Sequence, residues 1–244
     1  MRSLTAPELL QVWENGLQYS QTDRSLALLQ FASSKEDIDP VALSIGQRDA
    51  RLLLLRKWMF GSKLQNTAVC QVCGEKVEWE NDLNDFIVQH ANVDSTSHFQ
   101  ITVDDFELRF RLPVSDDIKL LRKDCTDEEN EMTLLRRCLL DIKRHNESLL
   151  VEDLPRNVLD AVEERISKED AQADITVLLT CPACAHEWLS HFDIQSYLWT
   201  EINAWAKNMV QEVYVLAKHF GWSENDILNM SPRRRQLYLQ MIFA

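Results

Sequence analysis

Ile194, Leu198, Ile202, Trp205, Met209, Val213, Leu216 and Phe220 recur at spacings of three and four, the apolar stripe of one long helix. The stripe predicts a helix over residues 194–220, capped by Asp193 and stopped by Gly221. Shorter runs of the same period open the chain. Leu9, Leu10, Val12 and Trp13 follow a capping box from Thr5 to Glu8, with Pro7 in the first turn and Gly16 as the stop. Leu26, Leu28, Leu29 and Phe31 follow a cap at Thr22 or Asp23, and Asp39-Pro40 breaks that helix. A third helix is expected over residues 47–60, ended by Gly61. Its flanking Arg48, Arg51, Arg56 and Lys57 read as solvated surface.

The period then changes to two. Phe106, Leu108, Phe110 and Leu112 alternate with Glu107, Arg109 and Arg111, behind Phe99 to Val103 and a turn at Asp104-Asp105. That is a hairpin with one buried face. Helices are expected over 82–89, 116–123 (capped by Ser115), 127–144 and 155–168, and a buried strand over 175–179. Two short helices, 223–229 and 232–243, follow the long one.

Composition adds to this picture in two ways. Five glycines and six prolines in 244 residues, with 45% hydrophobic and 27% charged residues, suit a mostly helical globular chain. The balance of 26 basic against 39 acidic residues, net −13, argues against nucleic acid and acidic membrane surfaces as partners. The first residues lack the apolar run of a secretory signal and no later stretch is long enough to span a bilayer. A cytoplasmic or particle-associated protein is expected.

The strongest chemical signal is a pair of knuckles, Cys70-Gln71-Val72-Cys73 and Cys181-Pro182-Ala183-Cys184, with 107 residues between them. Four thiolates in two tight pairs match the closed tetrahedral shell of a structural Zn2+. Each pair lies between strand-like segments, as in a zinc ribbon. Gly74 follows the first knuckle, where a positive φ is commonly needed, and Ala185 holds the equivalent place at some strain. Closing a loop of that length costs roughly 4 kcal/mol plus a constant, against ~10–16 kcal/mol for structural zinc in peptides. The ion would act as a clasp.

Other chemistries fit less well. A redox Cys-x-x-Cys needs its first thiol at a helix N-terminus, and both pairs here lead into extended segments. A catalytic zinc needs an open position; with four cysteines in the shell, nearby His186 and His191 read as surface or supporting residues. Unligated cysteines are the bland alternative. Cys125 and Cys138 read as core or surface thiols. No phosphate-binding Gly-rich loop, His-Glu-x-x-His or Gly-x-Ser-x-Gly is present. Arg233, Arg234 and Arg235 form the one basic cluster, either helix surface or a docking point for an acidic partner. Trp199 and Tyr214, off the seam of the long helix, offer a second face to a partner.

Several short motifs run through the chain in order: Leu9-Leu10-x-Val12-Trp13-Glu14, Gly46-Gln47-Arg48-Asp49-Ala50, Phe60-Gly61, the first knuckle and Arg109-Phe110-Arg111-Leu112-Pro113. Then come the second knuckle, Phe192-Asp193-Ile194, Leu198-Trp199-x-Glu201-Ile202, Gly221-Trp222-x-Glu224 and Ser231-Pro232-Arg233-Arg234-Arg235-Gln236. This order resembles the baseplate hub assembly chaperone family of T-even-type contractile-tailed phages. It is most similar to a cysteine-bearing branch found with phage-derived contractile injection systems. The resemblance implies a non-enzymatic protein that helps build a baseplate or hub, with hub or baseplate proteins as partners. It carries Cys70, Cys73, Cys181 and Cys184 over as metal ligands; the family's usual glycine is Ala185 here.

The expected fold is α+β and predominantly helical, a zinc-ribbon-like four-cysteine core of short hairpins flanked by N-terminal and C-terminal helices. Three modules are expected within one compact unit: 1–66 helical, 67–192 zinc-ribbon-like with an inserted hairpin and helices, and 193–244 helical. The alternative function is a zinc-ribbon nucleic-acid-binding or regulatory protein.

Overall fold

The computed structural model describes residues 1–34, 37–87 and 98–243, and the chain forms two compact units. The first joins residues 1–37 to 194–244; the second is the continuous stretch 38–193. Charge divides unevenly between them. Of the 26 basic and 39 acidic residues, the first unit holds 8 and 9, the second 18 and 30.

The first unit is helical. Helix α1 (Ala6–Gly16) starts at the Thr5–Glu8 capping box, and α2 (Gln21–Ala32) is capped by Ser20, whose hydroxyl accepts the Asp23 N–H. Both pack on the long helix α7 (Ile194–Phe220), followed by α8 (Glu224–Leu228) and α9 (Pro232–Phe243). At 27 residues α7 is about 40 Å long. Its stripe is buried through Leu198, Ile202, Ala206, Met209 and Leu216. Leu10 and Leu228 complete one core cluster with Ala206 and Met209. Partly buried polar contacts support the packing: Trp13 Nε1 donates to Asn203 Oδ1 at 3.1 Å and Ser25 Oγ to Gln195 Oε1 at 3.0 Å. No helix among the described residues is long and apolar enough to cross a membrane.

The second unit mixes helix and sheet. It opens with α3 (Ile45–Phe60), capped by Ser44, and then the hairpin β1 (Lys63–Val69) and β2 (Lys76–Asp82). A four-stranded antiparallel sheet follows in sequential order: β3 (Phe99–Val103), β4 (Phe106–Phe110), β5 (Leu139–Arg144) and β6 (Glu147–Ser148). Between β4 and β5 lie α4 (Ser115–Ile118) and α5 (Asp127–Cys138); α6 (Arg156–Glu169) comes after β6. Phe106, Leu108 and Phe110 face Leu135, Val158 and Val162 in this unit's core. The last hairpin is β7 (Thr176–Thr180) and β8 (Glu187–His191).

Four sequence expectations are corrected here. The helix expected over 127–144 stops at Cys138, and 139–144 become β5, with Leu108 opposite Ile142. Leu135, Cys138, Leu139 and Ile142 fit a helical stripe equally well; the strand wins because the open edge of β4 presents backbone groups that must be paired. The 116–123 helix shrinks to one turn at Ser115–Ile118. The 82–89 helix is a 3-10 turn at Leu83–Phe86, and residues 88–89 lie outside the described residues. The α3 arginines are not all solvated: Arg48 and Arg56 are buried. Arg48 donates from Nε to Asp49 Oδ1 at 2.7 Å and from Nη1 to Ser115 Oγ, and Arg56 donates to the Gly61 carbonyl at 2.6 Å. Buried guanidinium is tolerated only with such partners.

The first helical half of this unit is tied to its far end through Asp170. Its carboxylate accepts from Ser44 Oγ at 2.8 Å and the Gly46 N–H at 3.0 Å. A Cβ on Gly46 would sit 2.3 Å from Asp170 Oδ1, so glycine is required there for close approach.

Candidate metal centre

Both hairpins pair over their full lengths, from Lys63↔Asp82 to Val69↔Lys76 and from Thr176↔His191 to Thr180↔Glu187. The cysteines sit in the turns at their tips, and the two turns are built alike. The Cys70 N–H donates to the Glu75 carbonyl and the Gly74 N–H to the Cys70 carbonyl, both at 2.9 Å. In the second turn the Cys181 N–H donates to His186 O at 2.8 Å and the Ala185 N–H to Cys181 O at 2.9 Å. Gly74 and Ala185 occupy the same position with φ of +77° and +57°. The left-handed conformation is free for glycine and strained for alanine.

These turns bring all four sulfurs within 4.8 Å of one another. Cys70 Sγ lies 3.7 Å from Cys184 Sγ, and Cys73 Sγ lies 3.5 Å from Cys181 Sγ. A tetrahedron with metal–sulfur bonds of about 2.3 Å has edges of about 3.8 Å, so the spacing fits one Zn2+-sized ion. It does not fit a disulfide, which needs about 2.05 Å, and all six cysteines are free. Among the described residues no other group of three or more His, Cys, Asp or Glu ligand atoms converges this way. In each pair the first cysteine is buried and the second exposed.

Backbone N–H groups aim at the sulfurs. Those of Cys73 and Val72 bring the Cys70 thiol down to about 6 against the cost of burial. Cys73 accepts the Glu75 N–H, yet the Cys184 and Cys181 thiols beside it outweigh that bond and push it up to about 12. Cys184 accepts the His186 N–H and is also raised, held up by burial and by Cys181 and Cys70. Four thiols this close resist ionising together without a cation.

The opposite ends of the hairpins are joined by groups that no pattern singled out. The ring of Phe86, just past β2, stacks on that of Phe192, just past β8, at 4.9 Å between centroids. Gln172 Nε2 donates to the Phe86 carbonyl at 2.9 Å. A lone phenylalanine or glutamine after a strand carries no sequence signal for such a contact. Residues 175–179 also differ from expectation: β7 is a half-exposed strand, with Leu178 and its cross-strand partner Leu189 63% and 64% exposed.

The remaining candidates are scattered. His186 stacks on Trp188, and His191 Nδ1 lies 2.9 Å from Asp174 Oδ1. Arg233 and Arg234 are exposed, whereas Arg235 is buried, donating to Glu212 Oε2 at 3.0 Å and to the Met230 carbonyl at 2.7 Å. Trp199 is half-buried under the Arg24 guanidinium, and a Cβ on Gly16 would meet its ring at 2.4 Å. Tyr214 is 57% exposed, with Lys218 over its ring. Cys138 is buried, which pushes its thiol up to about 12.

No curated protein and no solved structure matches the chain. A family model described as T4 bacteriophage base plate protein does, over residues 8–199, a span that contains all four clustered cysteines. The chain belongs to that family of phage baseplate proteins.

Proposed function

We propose that this protein is a non-enzymatic assembly factor for the hub of a contractile phage tail or contractile injection system, acting by binding other baseplate proteins. The observation that carries the proposal is the family match across 192 of the 244 residues, from 8 to 199. The four-thiol cluster supports a structural role for metal: Cys70, Cys73, Cys181 and Cys184 would hold one Zn2+ in a zinc-ribbon-like arrangement of two hairpins. When bound, the ion supplies a rigid cross-link and no open coordination position.

The nucleic-acid alternative gains nothing from the arginine cluster, since Arg235 is spent inside the fold and the chain carries −13 overall. Co-expression with each baseplate and tail protein of the same gene cluster tests the proposal. Co-purification of a stoichiometric complex is expected; a chain that stays alone with every one of them overturns it. Elemental analysis of purified protein, with X-ray absorption, tests the metal: one zinc per chain and four sulfur neighbours are expected.

A further inference from the structure

Within the second unit, α5 and α6 form the walls of an open cleft of about 580 Å³. Leu134 and Leu135 line it from α5 and Ile166 from α6, and Pro113, Ile118 and Leu121 add further apolar lining. From α5 come residues 127, 130, 131, 134 and 135, and from α6 residues 163, 166 and 167. These spacings of one, three and four place each set on one helix face. A groove bounded by helix faces takes a third helix, whose ridges seat between theirs.

The charged groups around this apolar floor have one sign. Asp127, Glu131, Glu163, Asp170 and Asp174 line the cleft, and among the described residues no lysine or arginine does. Some of these carboxylates are engaged: Asp170 by Ser44 and Gly46, Glu131 by Arg156, and Asp174 beside His191. Glu163 is different. Its Oε2 lies 3.7 Å from Arg156 Nη2, burial and the Glu131 carboxyl beside it push it up to about 7, and its Oε1 atom is buried with no hydrogen-bond donor. A buried acceptor in that state calls for a donor. The surrounding unit carries 18 basic and 30 acidic residues, so its field draws a basic partner.

We propose that this cleft is the docking site for an amphipathic helix of another baseplate protein, one that lays apolar side chains on Leu134 and Ile166 and a lysine or arginine against Glu163. The identity of that protein as a baseplate subunit rests on the function proposed above; the chemistry of the cleft does not.

The test has two arms. A fluorescein-labelled 18-residue amphipathic helical peptide of leucine and lysine is titrated into the full chain, beside a leucine and glutamate counterpart. The lysine peptide binds one to one, and the glutamate peptide does not. Leu134→Asp weakens binding tenfold or more and Glu163→Gln severalfold, with melting temperatures of both variants checked. Read at pH 8, above the raised Glu163 value of about 7, Glu163→Gln removes one charge without changing shape, which keeps the test valid if Leu134→Asp fails to fold. Failure of the lysine peptide to bind, or equal binding to the wild type and both variants, overturns the proposal.

In the second arm the variants are co-expressed with the baseplate subunit that co-purifies with the wild type. Release of that subunit by the variants supports the assignment. A subunit that binds them unchanged overturns the cleft as its site and leaves the assembly role standing. Peptide binding at the cleft with no co-purifying subunit upholds the cleft chemistry and overturns the assembly role.

Discussion

Phe86 and Phe192 stack with 21° between their ring planes, at the ends of two hairpins whose other ends carry the four thiols. The hairpins are separate two-stranded sheets, and isolated two-stranded ribbons are marginal in water. The stack therefore holds at one end what the cysteines hold at the other. Phe86 is 7% exposed, so Phe86→Ala is expected to cost about 3 kcal/mol while leaving the metal content at one ion per chain. Denaturant titration with elemental analysis checks it; a stability loss below 1 kcal/mol, roughly, would show the stack to be incidental.

Ala185 supplies a cleaner test of the knuckle. Its φ of +57° strains a residue bearing a Cβ, and Gly74 takes the equivalent position without strain. Ala185→Gly is expected to stabilise by about 0.5–1 kcal/mol and Gly74→Ala to destabilise by about as much. Opposite signs in paired thermal melts are the required result. Equal signs would mean the two turns are not equivalent.

Changing Cys70 and Cys73 together to serine removes half of the ligand set. Metal content should fall from one to near zero, the melting temperature by at least about 10 °C, and recovery of the baseplate partner with it. A variant that loses its metal yet melts and binds as before would falsify the clasp.

The N-terminal segment gives a pH signature. The Arg2 guanidinium and the Thr5 N–H hold Glu8 down at about 2, from an ordinary value of 4.5. A carboxylate depressed on folding contributes stability that is present above 4.5 and is lost as pH falls through about 2, because the unfolded chain takes the proton first. Glu8→Gln should lower the melting temperature at neutral pH, and its deficit should shrink steadily between pH 4.5 and 2. A deficit that stays constant over that range would rule out the linkage.

Much of this was legible in the residues. Cap and stop signals placed α1 and α7 to within a residue or two: Thr5 and Glu8 satisfy backbone groups and Gly221 takes a positive φ, whereas Gly16 ends α1 with no positive φ and is glycine for the Trp199 ring against it. The knuckles were legible because thiols at two-residue spacing have few other uses, and their convergence follows from the hairpins. What failed did so where two solutions satisfy one pattern. Leu139 and Ile142 fit helix and strand, and only the edge of β4, far off in sequence, decides. Arg48 and Arg56 look like surface charge until Asp49, Ser115 and the Gly61 carbonyl are brought to them. The Asp170 link to Ser44 and Gly46 spans more than a hundred residues and leaves no local trace.

The insert between the knuckles has its own core and its own sheet, and Gln172 hydrogen-bonds back to Phe86 at its base. That changes the kinetics of assembly. An insert that folds first brings its ends together, so the ion has only the short stretches from Cys73 to Phe86 and from Gln172 to Cys181 left to order. Treated as a loop of about 20 residues, that remainder costs roughly 3 kcal/mol instead of 4. A metal ion held by the four cysteines would then be taken up in a fast, late step by a chain already shaped for it, and the rate of folding is expected not to depend on zinc concentration.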